Sequence, residues 1–88
     1  MPEIEFTETF QKCFQKLPND IKKKARNKIW LLAVDPRHPS LQTKPIQGAP
    51  GIFEARIDLA YSLTYERKAG NTLLLRVIGP HDETLKHP

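Results

Sequence analysis

The sequence predicts one α+β domain, in which an N-terminal strand and a two-helix hairpin come before an antiparallel sheet. Apolar residues recur at helical spacing up to residue 34, whereas from residue 52 they alternate with polar residues. A tight-turn pair, Gly70-Asn71, separates the last two apolar runs. Because 88 residues supply one core only, we expect a single domain over residues 1–88, with both helices packed on one face of the sheet.

The first elements are a short strand and a helix. Polar and apolar residues alternate from Glu3 to Phe6, as in a strand. Apolar residues then follow the spacing of one helix face, at Phe6, Phe10, Phe14 and Leu17. We therefore expect a first helix from about Thr7 to Lys16, with Thr7 or a residue near it as the N-cap.

A second helix follows the break at Pro18. Asn19 or Asp20 is expected to cap it, and it should extend to Val34. Its apolar stripe consists of Ile21, Ala25, Ile29 and Leu32. The rest of its surface is rich in lysine and arginine. These side chains either contact the phosphates of a nucleic acid or are simply exposed to solvent.

The segment from Asp35 to Gly51 is predicted to be a long connecting loop, because it contains four prolines and two glycines. Structureless loops beyond about 12–15 residues are uncommon in compact domains unless they have a function. Arg37, His38 and Lys44 are therefore candidate substrate-binding residues.

Three strands should form an antiparallel meander after this loop. The alternation predicts strands at Ile52–Leu59, Ala60–Lys68 and Asn71–Ile78. Gly70 and Asn71 both tolerate a positive φ and favour a tight turn between the last two.

The period of two in these strands assigns the side chains to two faces. Leu59 falls on the apolar face, which the helices should cover. On that face we expect the helices to contact Phe53, Ala55, Ile57, Leu63, Tyr65, Leu73, Leu75 and Val77. The other face should be a shallow polar surface, and it is our candidate site; it carries Glu54, Arg56, Ser62, Thr64 and Arg76.

Composition limits the function classes. The net charge of +4 favours polyanionic partners such as RNA, DNA or an acidic protein segment. A single cysteine, the absence of a signal-peptide pattern and the absence of a long apolar run lead us to expect a cytoplasmic protein. No spacing of histidine and cysteine suggests a metal site and no glycine-rich loop suggests a phosphate site, so no cofactor or metal is expected.

Three residues suggest acid–base chemistry. Glu54 and Arg56 should share a face about 7 Å apart, either as a base with a phosphate-binding cation or as a surface ion pair. His81 follows the last strand, where it can donate a proton near neutral pH or serve as an exposed structural residue. Asp82 either orients His81 or caps a short tail helix.

Four segments of the chain match a known pattern when they are taken together: Asp35-Pro36-Arg37-His38-Pro39-Ser40-Leu41, Gly51-Ile52-Phe53-Glu54-Ala55-Arg56-Ile57, Tyr61-Ser62-Leu63-Thr64-Tyr65-Glu66 and Ile78-Gly79-Pro80-His81-Asp82-Glu83-Thr84-Leu85-Lys86-His87-Pro88. Through these segments and its predicted order of elements, the whole chain resembles the RelE/ParE toxin superfamily. The resemblance implies a RelE-like fold and a toxin that is neutralised by an antitoxin encoded beside it.

The resemblance also implies a metal-independent endoribonuclease that cuts mRNA on the ribosome. Glu54 would be the base and His81 the acid, while Arg56 would stabilise charge on phosphorus. Arg76 and Ser62 would contact the substrate, although an arginine is common in the superfamily where this chain has Ser62. The alternatives are an inhibitor of DNA gyrase, as in the ParE branch, and a toxin-like binding protein without activity.

Overall fold

A computed structural model describes residues 1–88 and contains three α-helices and five strands. The strands are β1 (Glu3–Phe6), β2 (Lys44–Pro45), β3 (Ile52–Arg56), β4 (Tyr61–Lys68) and β5 (Thr72–Pro80). The helices are α1 (Glu8–Gln15), α2 (Asn19–Val34) and α3 (His81–Lys86), with a short 3₁₀ helix at Pro39–Leu41. The predicted α+β fold and its order of elements are confirmed, and the long loop also contains the 3₁₀ helix and β2. None of the helices combines the length and the apolar character needed to cross a membrane.

All five strands belong to one sheet, in the order β1-β5-β4-β3-β2. The β3–β4–β5 meander is antiparallel, and β1 adds to β5 in the parallel direction, so the sheet is mixed. Gly70 and Asn71 form the β4–β5 turn with φ angles of 78° and 60°, as their ability to adopt a positive φ predicted.

The starts of the two long helices differ. Thr7 caps α1, because its Oγ1 accepts a hydrogen bond from the Phe10 N–H (2.9 Å) and donates to the Arg76 carbonyl (2.7 Å). Pro18 precedes α2, and no side chain caps that helix, so the prediction that Asn19 or Asp20 is its cap was wrong. The Pro18 carbonyl accepts the first hydrogen bond of the helix, from the Lys22 N–H at 2.9 Å.

The helices cover the apolar face of the sheet, as predicted. One cluster of buried side chains joins Phe10, Ile21 and Ala25 of the helices to strand residues such as Leu63 and Leu75. Phe14, Ile29 and Phe53 pack against this cluster and are partly buried.

Two residues predicted on the apolar face lie elsewhere. The prediction for Leu59 was wrong: β3 ends at Arg56, residues 57–60 form a turn, and Leu59 is 96% exposed. Val77 is not part of the core, whereas Ile78 is. The cause is a β-bulge: Thr64 pairs with Val77 and Tyr65 with Leu75, so the extra residue shifts the alternation along β5 by one position.

The polar face is closed rather than open. Glu54, Ser62 and Thr64 are each 0% exposed, so the expectation of a shallow polar surface was wrong for these three residues. The reason is that α3 packs on β4 and β5. The carbonyl of Pro88 accepts hydrogen bonds from Thr64 Oγ1 (3.2 Å) and Arg76 Nε (2.9 Å), which holds the tail over the sheet.

Candidate active site

The strand register brings the polar residues of β3 and β4 together with the start of α3. Arg56 pairs with Ser62, and Ser62 pairs with Gly79 on its other side. His81 follows two residues after Gly79, and its N–H donates to the Ala60 carbonyl at 2.8 Å. This hydrogen bond fixes the first residue of α3 above the sheet.

Three polar atoms form a closed triangle at this point. Glu54 Oε2 lies 2.7 Å from His81 Nδ1, and it accepts a hydrogen bond from Ser62 Oγ at 2.9 Å. Ser62 Oγ lies 2.8 Å from His81 Nδ1. Glu54 is buried, whereas the His81 side chain is 22% exposed. The imidazole is therefore the part of this triangle that reaches solvent.

Two cations flank the carboxylate. Arg56 Nε is 3.9 Å from Glu54 Oε2, and Arg56 Nη2 is 3.4 Å from His81 Nε2. Lys44 Nζ lies 3.6 Å from Glu54 Oε1, a buried oxygen that has no hydrogen-bond partner. Two cations beside one buried anion leave the site with a net positive charge, as a phosphate group requires.

A turn centred on Asp58 supports the site from behind. Asp58 Oδ1 accepts hydrogen bonds from the N–H groups of Ala60 and Tyr61, both at 2.9 Å. Two carbonyls of the turn accept hydrogen bonds from the site. The Ala60 carbonyl accepts from the backbone N–H of His81, and the Leu59 carbonyl accepts from Arg56 Nη1 at 3.0 Å. The backbone of His81 and the side chain of Arg56 are thus anchored on the same turn.

The charge of Asp58 is stabilised in place. Burial opposes ionisation, but the two N–H groups and Lys24 Nζ at 3.3 Å outweigh it and lower the pKa of Asp58 below its ordinary value of 3.8. The turn therefore holds an ionised carboxylate near neutral pH.

The remaining candidates lie away from this site. Arg37 lines a groove with Arg67 and Lys68 near the β4–β5 turn, at the opposite end of β4 from Ser62. His38 caps the 3₁₀ helix, since its Nδ1 accepts from the Ser40 N–H at 3.1 Å. Arg76 Nη1 pairs with Glu66 at 3.0 Å. The structure therefore brings together five of the predicted site residues: Lys44, Glu54, Arg56, Ser62 and His81.

The geometry suits proton transfer at one histidine nitrogen. With Glu54 ionised, the two oxygens that face Nδ1 require a proton on that nitrogen, so in the neutral ring Nε2 carries the lone pair. A buried carboxylate that orients an imidazole in this way also stabilises the imidazolium once the ring takes up a second proton. No group of three or more histidine, cysteine, aspartate or glutamate side chains is placed to hold a metal ion.

Sequence reasoning missed the partner that orients His81 and the turn that anchors it. Asp82 was considered as the orienting residue, yet it is exposed in the first turn of α3, while Glu54 contacts the ring. Asp58 was placed in a strand, although aspartate favours turns because its side chain can accept a hydrogen bond from the backbone N–H two residues further on. That signal was available in Asp58-Leu59-Ala60.

Comparison with known proteins identifies the fold. No model of a known protein family matches the sequence, and no curated protein resembles it significantly. Among solved structures, YafQ of E. coli strain BL21(DE3) is 19% identical, with 94% of this chain and 97% of that chain covered and a TM-score of 0.77. The isolated RelE toxin of E. coli is 18% identical, with 98% and 97% covered and a TM-score of 0.73.

A metal-bound toxin of Helicobacter pylori is 25% identical, with 94% and 98% covered and a TM-score of 0.76. RelE and YafQ are also known in toxin–antitoxin complexes, RelBE and DinJ–YafQ. The structural neighbours of this chain are thus toxins of toxin–antitoxin pairs, and the chain has the RelE-like toxin fold.

Proposed function

We propose that this protein is the toxin of a toxin–antitoxin pair and that it cleaves mRNA on the ribosome without a metal ion. The observation that carries the proposal is the contact of His81 with the buried Glu54, beside the guanidinium of Arg56. The RelE-like fold and the net charge of +4 support it, since a basic toxin of this fold suits an RNA substrate.

His81 carries the proton transfers. Its Nε2 takes the proton of a ribose 2′-hydroxyl, and the 2′-oxygen attacks the adjacent phosphorus. The bond to the 5′-oxygen breaks, and the imidazolium returns the proton to that oxygen. The products are a 2′,3′-cyclic phosphate and a 5′-hydroxyl, and no net proton is consumed.

The burial of Glu54 changes the division of roles expected from the sequence. A carboxylate that is 0% exposed does not reach a 2′-hydroxyl while α3 is in place. Glu54 therefore acts through His81, by fixing the ring and by stabilising its protonated form. A base role for Glu54 itself would require the contact with His81 to open.

Arg56 stabilises the charge that builds up on phosphorus. The superfamily often has an arginine where this chain has Ser62, and Arg56 pairs directly with Ser62 across β3 and β4. Its guanidinium therefore occupies the neighbourhood in which an arginine is expected. Lys44, 62% exposed, adds a second positive charge beside the same carboxylate. One well-placed donor of this kind contributes about 10²–10³ in rate.

The test compares purified His81→Ala, Arg56→Ala and Glu54→Gln with the parent. RNA cleavage is measured with and without ribosomes, and the ends of the fragments are identified. We expect His81→Ala to lower the rate by about 10²–10⁴, because it removes the proton-transfer group. Arg56→Ala and Glu54→Gln should lower it by at least about 10².

The matched control is His87→Ala, which removes an exposed histidine that makes no hydrogen bond. Its melting temperature and cleavage rate should equal those of the parent. Three folded variants that all cut at the parent's rate would show the assignment of residues to be wrong. A parent that cuts no RNA in either condition but inhibits DNA supercoiling by gyrase would replace the nuclease with the binding inhibitor.

The antitoxin partner is proposed to cover an apolar groove of about 570 Å³ between β1, α1 and α2. Phe6 and Trp30 line this groove and are 44% and 64% exposed, and Arg26 lies over the ring of Phe14 at 5.5 Å. A segment with an apolar face and acidic flanks fits an apolar groove on a basic domain. RelE and YafQ provide the precedent of a toxin bound by its antitoxin.

Trp30 is the only tryptophan, so its fluorescence reports on this groove. Addition of the antitoxin from the adjacent gene should shift the emission to shorter wavelength and suppress toxicity. Arg26→Glu should weaken binding, whereas the same charge change at Lys68 in the β4–β5 hairpin should not. A stable complex with unchanged emission would place the antitoxin elsewhere.

A further inference from the structure

We propose that Ser62 is a positioning residue, whose buried hydroxyl helps Glu54 to hold His81 in the tautomer with the proton on Nδ1. The inference rests on the proposed ribonuclease function, but the tautomer of His81 can be tested without any measurement of RNA cleavage. The sequence suggested Ser62 as a substrate contact, yet its side chain is fully buried and its hydroxyl is hydrogen-bonded to the other members of the triangle.

The tautomer follows from counting protons. A hydroxyl has one proton to donate, and Ser62 Oγ donates it to Glu54 Oε2 at 2.9 Å. Towards His81 Nδ1, at 2.8 Å, the same oxygen can then only accept. If Ser62 instead donated to Nδ1, the nitrogen lone pair would face the carboxylate oxygen at 2.7 Å, which is repulsive. Both acceptors thus require the proton on Nδ1.

The other side of the ring agrees with this tautomer. Arg56 Nη2 lies 3.4 Å from Nε2 and has only protons to offer. A lone pair on Nε2 accepts from it, whereas a proton on Nε2 would face another donor. Nε2 is therefore left as the nitrogen that exchanges protons with RNA.

The burial of Ser62 explains why its hydroxyl matters. A hydroxyl removed from water costs free energy unless it is hydrogen-bonded, and Ser62 recovers that cost only inside the triangle. Glu54 also depends on it, because Oε1 has no hydrogen bond and Oε2 has only Ser62 and His81 as close partners. Removal of the hydroxyl leaves the carboxylate with His81 as its one hydrogen-bonded partner, beside the weaker ion pairs with Lys44 and Arg56.

The test is histidine-ring nitrogen NMR on the full chain, with the His81 signals assigned by their loss in His81→Ala. At a pH where the ring is neutral, the parent should show His81 as a single tautomer protonated on Nδ1. Ser62→Ala should give a mixture of tautomers, and Ser62→Thr, which restores a hydroxyl, should recover the parent spectrum. Thr64→Val is the matched control: it removes the next buried hydroxyl on this face, which donates to Pro88 and not to Glu54.

Cleavage kinetics give a second readout. Ser62→Ala should lower kcat by about 10–100-fold, as for other residues that orient a functional side chain, with KM nearly unchanged and with recovery in Ser62→Thr. A parent protonated on Nε2, or a Ser62→Ala spectrum identical to that of the parent, would overturn the inference. If the tautomers behave as expected but the parent cuts no RNA, the positioning role stands and only the proposed function fails.

Discussion

The face of the sheet under α1 and α2 and the face under α3 are both closed to water, but with opposite chemistry. Leu63 and Leu75 on the helix side are 0% exposed and touch apolar groups. Glu54, Ser62 and Thr64 on the other side are equally buried, and all three take part in polar contacts.

Equal burial has unequal consequences on the two faces. Each apolar side chain removed from water stabilises the fold by about 1.5–3 kcal/mol. A buried hydrogen bond replaces one made to water, so its net contribution is only about 0.5–1.5 kcal/mol, and a buried carboxylate carries a desolvation cost. The helix side therefore supplies most of the stability, and the α3 side fixes the positions of reactive atoms. Substitutions on the two sides should separate stability from activity.

The largest effect on stability should come from the helix side. Leu63→Ala should lower the free energy of unfolding by about 2–5 kcal/mol, because it leaves a cavity among close-packed side chains. Leu59→Ala is its control, since the same change at a residue that is 96% exposed should stay within about 0.5 kcal/mol. Urea denaturation measures both. Equal losses in the two variants would contradict the assigned faces.

A smaller loss of stability, together with a loss of activity, should follow from Asp58→Ala. The change removes two hydrogen bonds that hold the turn, which we expect to cost about 1–2 kcal/mol. Cleavage should fall as well, because the turn anchors both His81 and Arg56. Asp35→Ala, which removes an exposed carboxylate without a hydrogen bond, should do neither.

The contribution of Asp58 should also depend on pH in a defined direction. Its pKa is lowered in the folded state, so the unfolded chain binds more protons in acid. The stability difference between the parent and Asp58→Ala should be fully present above about pH 4 and should shrink as the pH falls through the folded pKa. A difference that grew in acid would contradict the lowered pKa.

The smallest effect is expected for Arg76→Ala. Its guanidinium pairs with Glu66 and with the Pro88 carbonyl, and its side chain is 38% exposed, so the change should cost no more than about 1 kcal/mol. Cleavage should remain within about twofold of the parent, measured at saturating RNA. A large loss of cleavage with normal stability would return Arg76 to the substrate-binding residues.

Local sequence patterns predicted most of the helix side, with Leu59 and Val77 as the errors, but they did not predict the closure of the α3 side. Period-two alternation identifies Ala55 and Leu63 as core residues, because one face of a strand shares one environment. The bulge at Arg76 leaves no mark in that pattern, which is why Val77 was misplaced. The closure of the polar face could not be predicted from the strand pattern either, because it depends on how α3 packs on β4 and β5.

The sequence could predict that Glu54, Arg56 and His81 lie near one another, but not their geometry. Spacing placed Glu54 and Arg56 on one face, and the position after the last strand placed His81 near the end of the sheet. That the carboxylate is buried and contacts Nδ1 depends on pairing between residues far apart in the sequence, such as Ser62 with Gly79. Such contacts are set by tertiary structure, so the roles of the three residues could not be read from the chain alone.

The parallel pairing of β1 with β5 delays completion of the sheet during synthesis. The Thr7 hydroxyl donates to the carbonyl of Arg76, 69 residues away, so β1 cannot pair until β5 has also left the ribosome. At about 5–20 residues per second, that interval is roughly 3–14 seconds. Pairings this distant fold slowly for the size of the chain. Since His81 directly follows β5, the nascent protein completes its sheet and places His81 beside Glu54 at nearly the same moment.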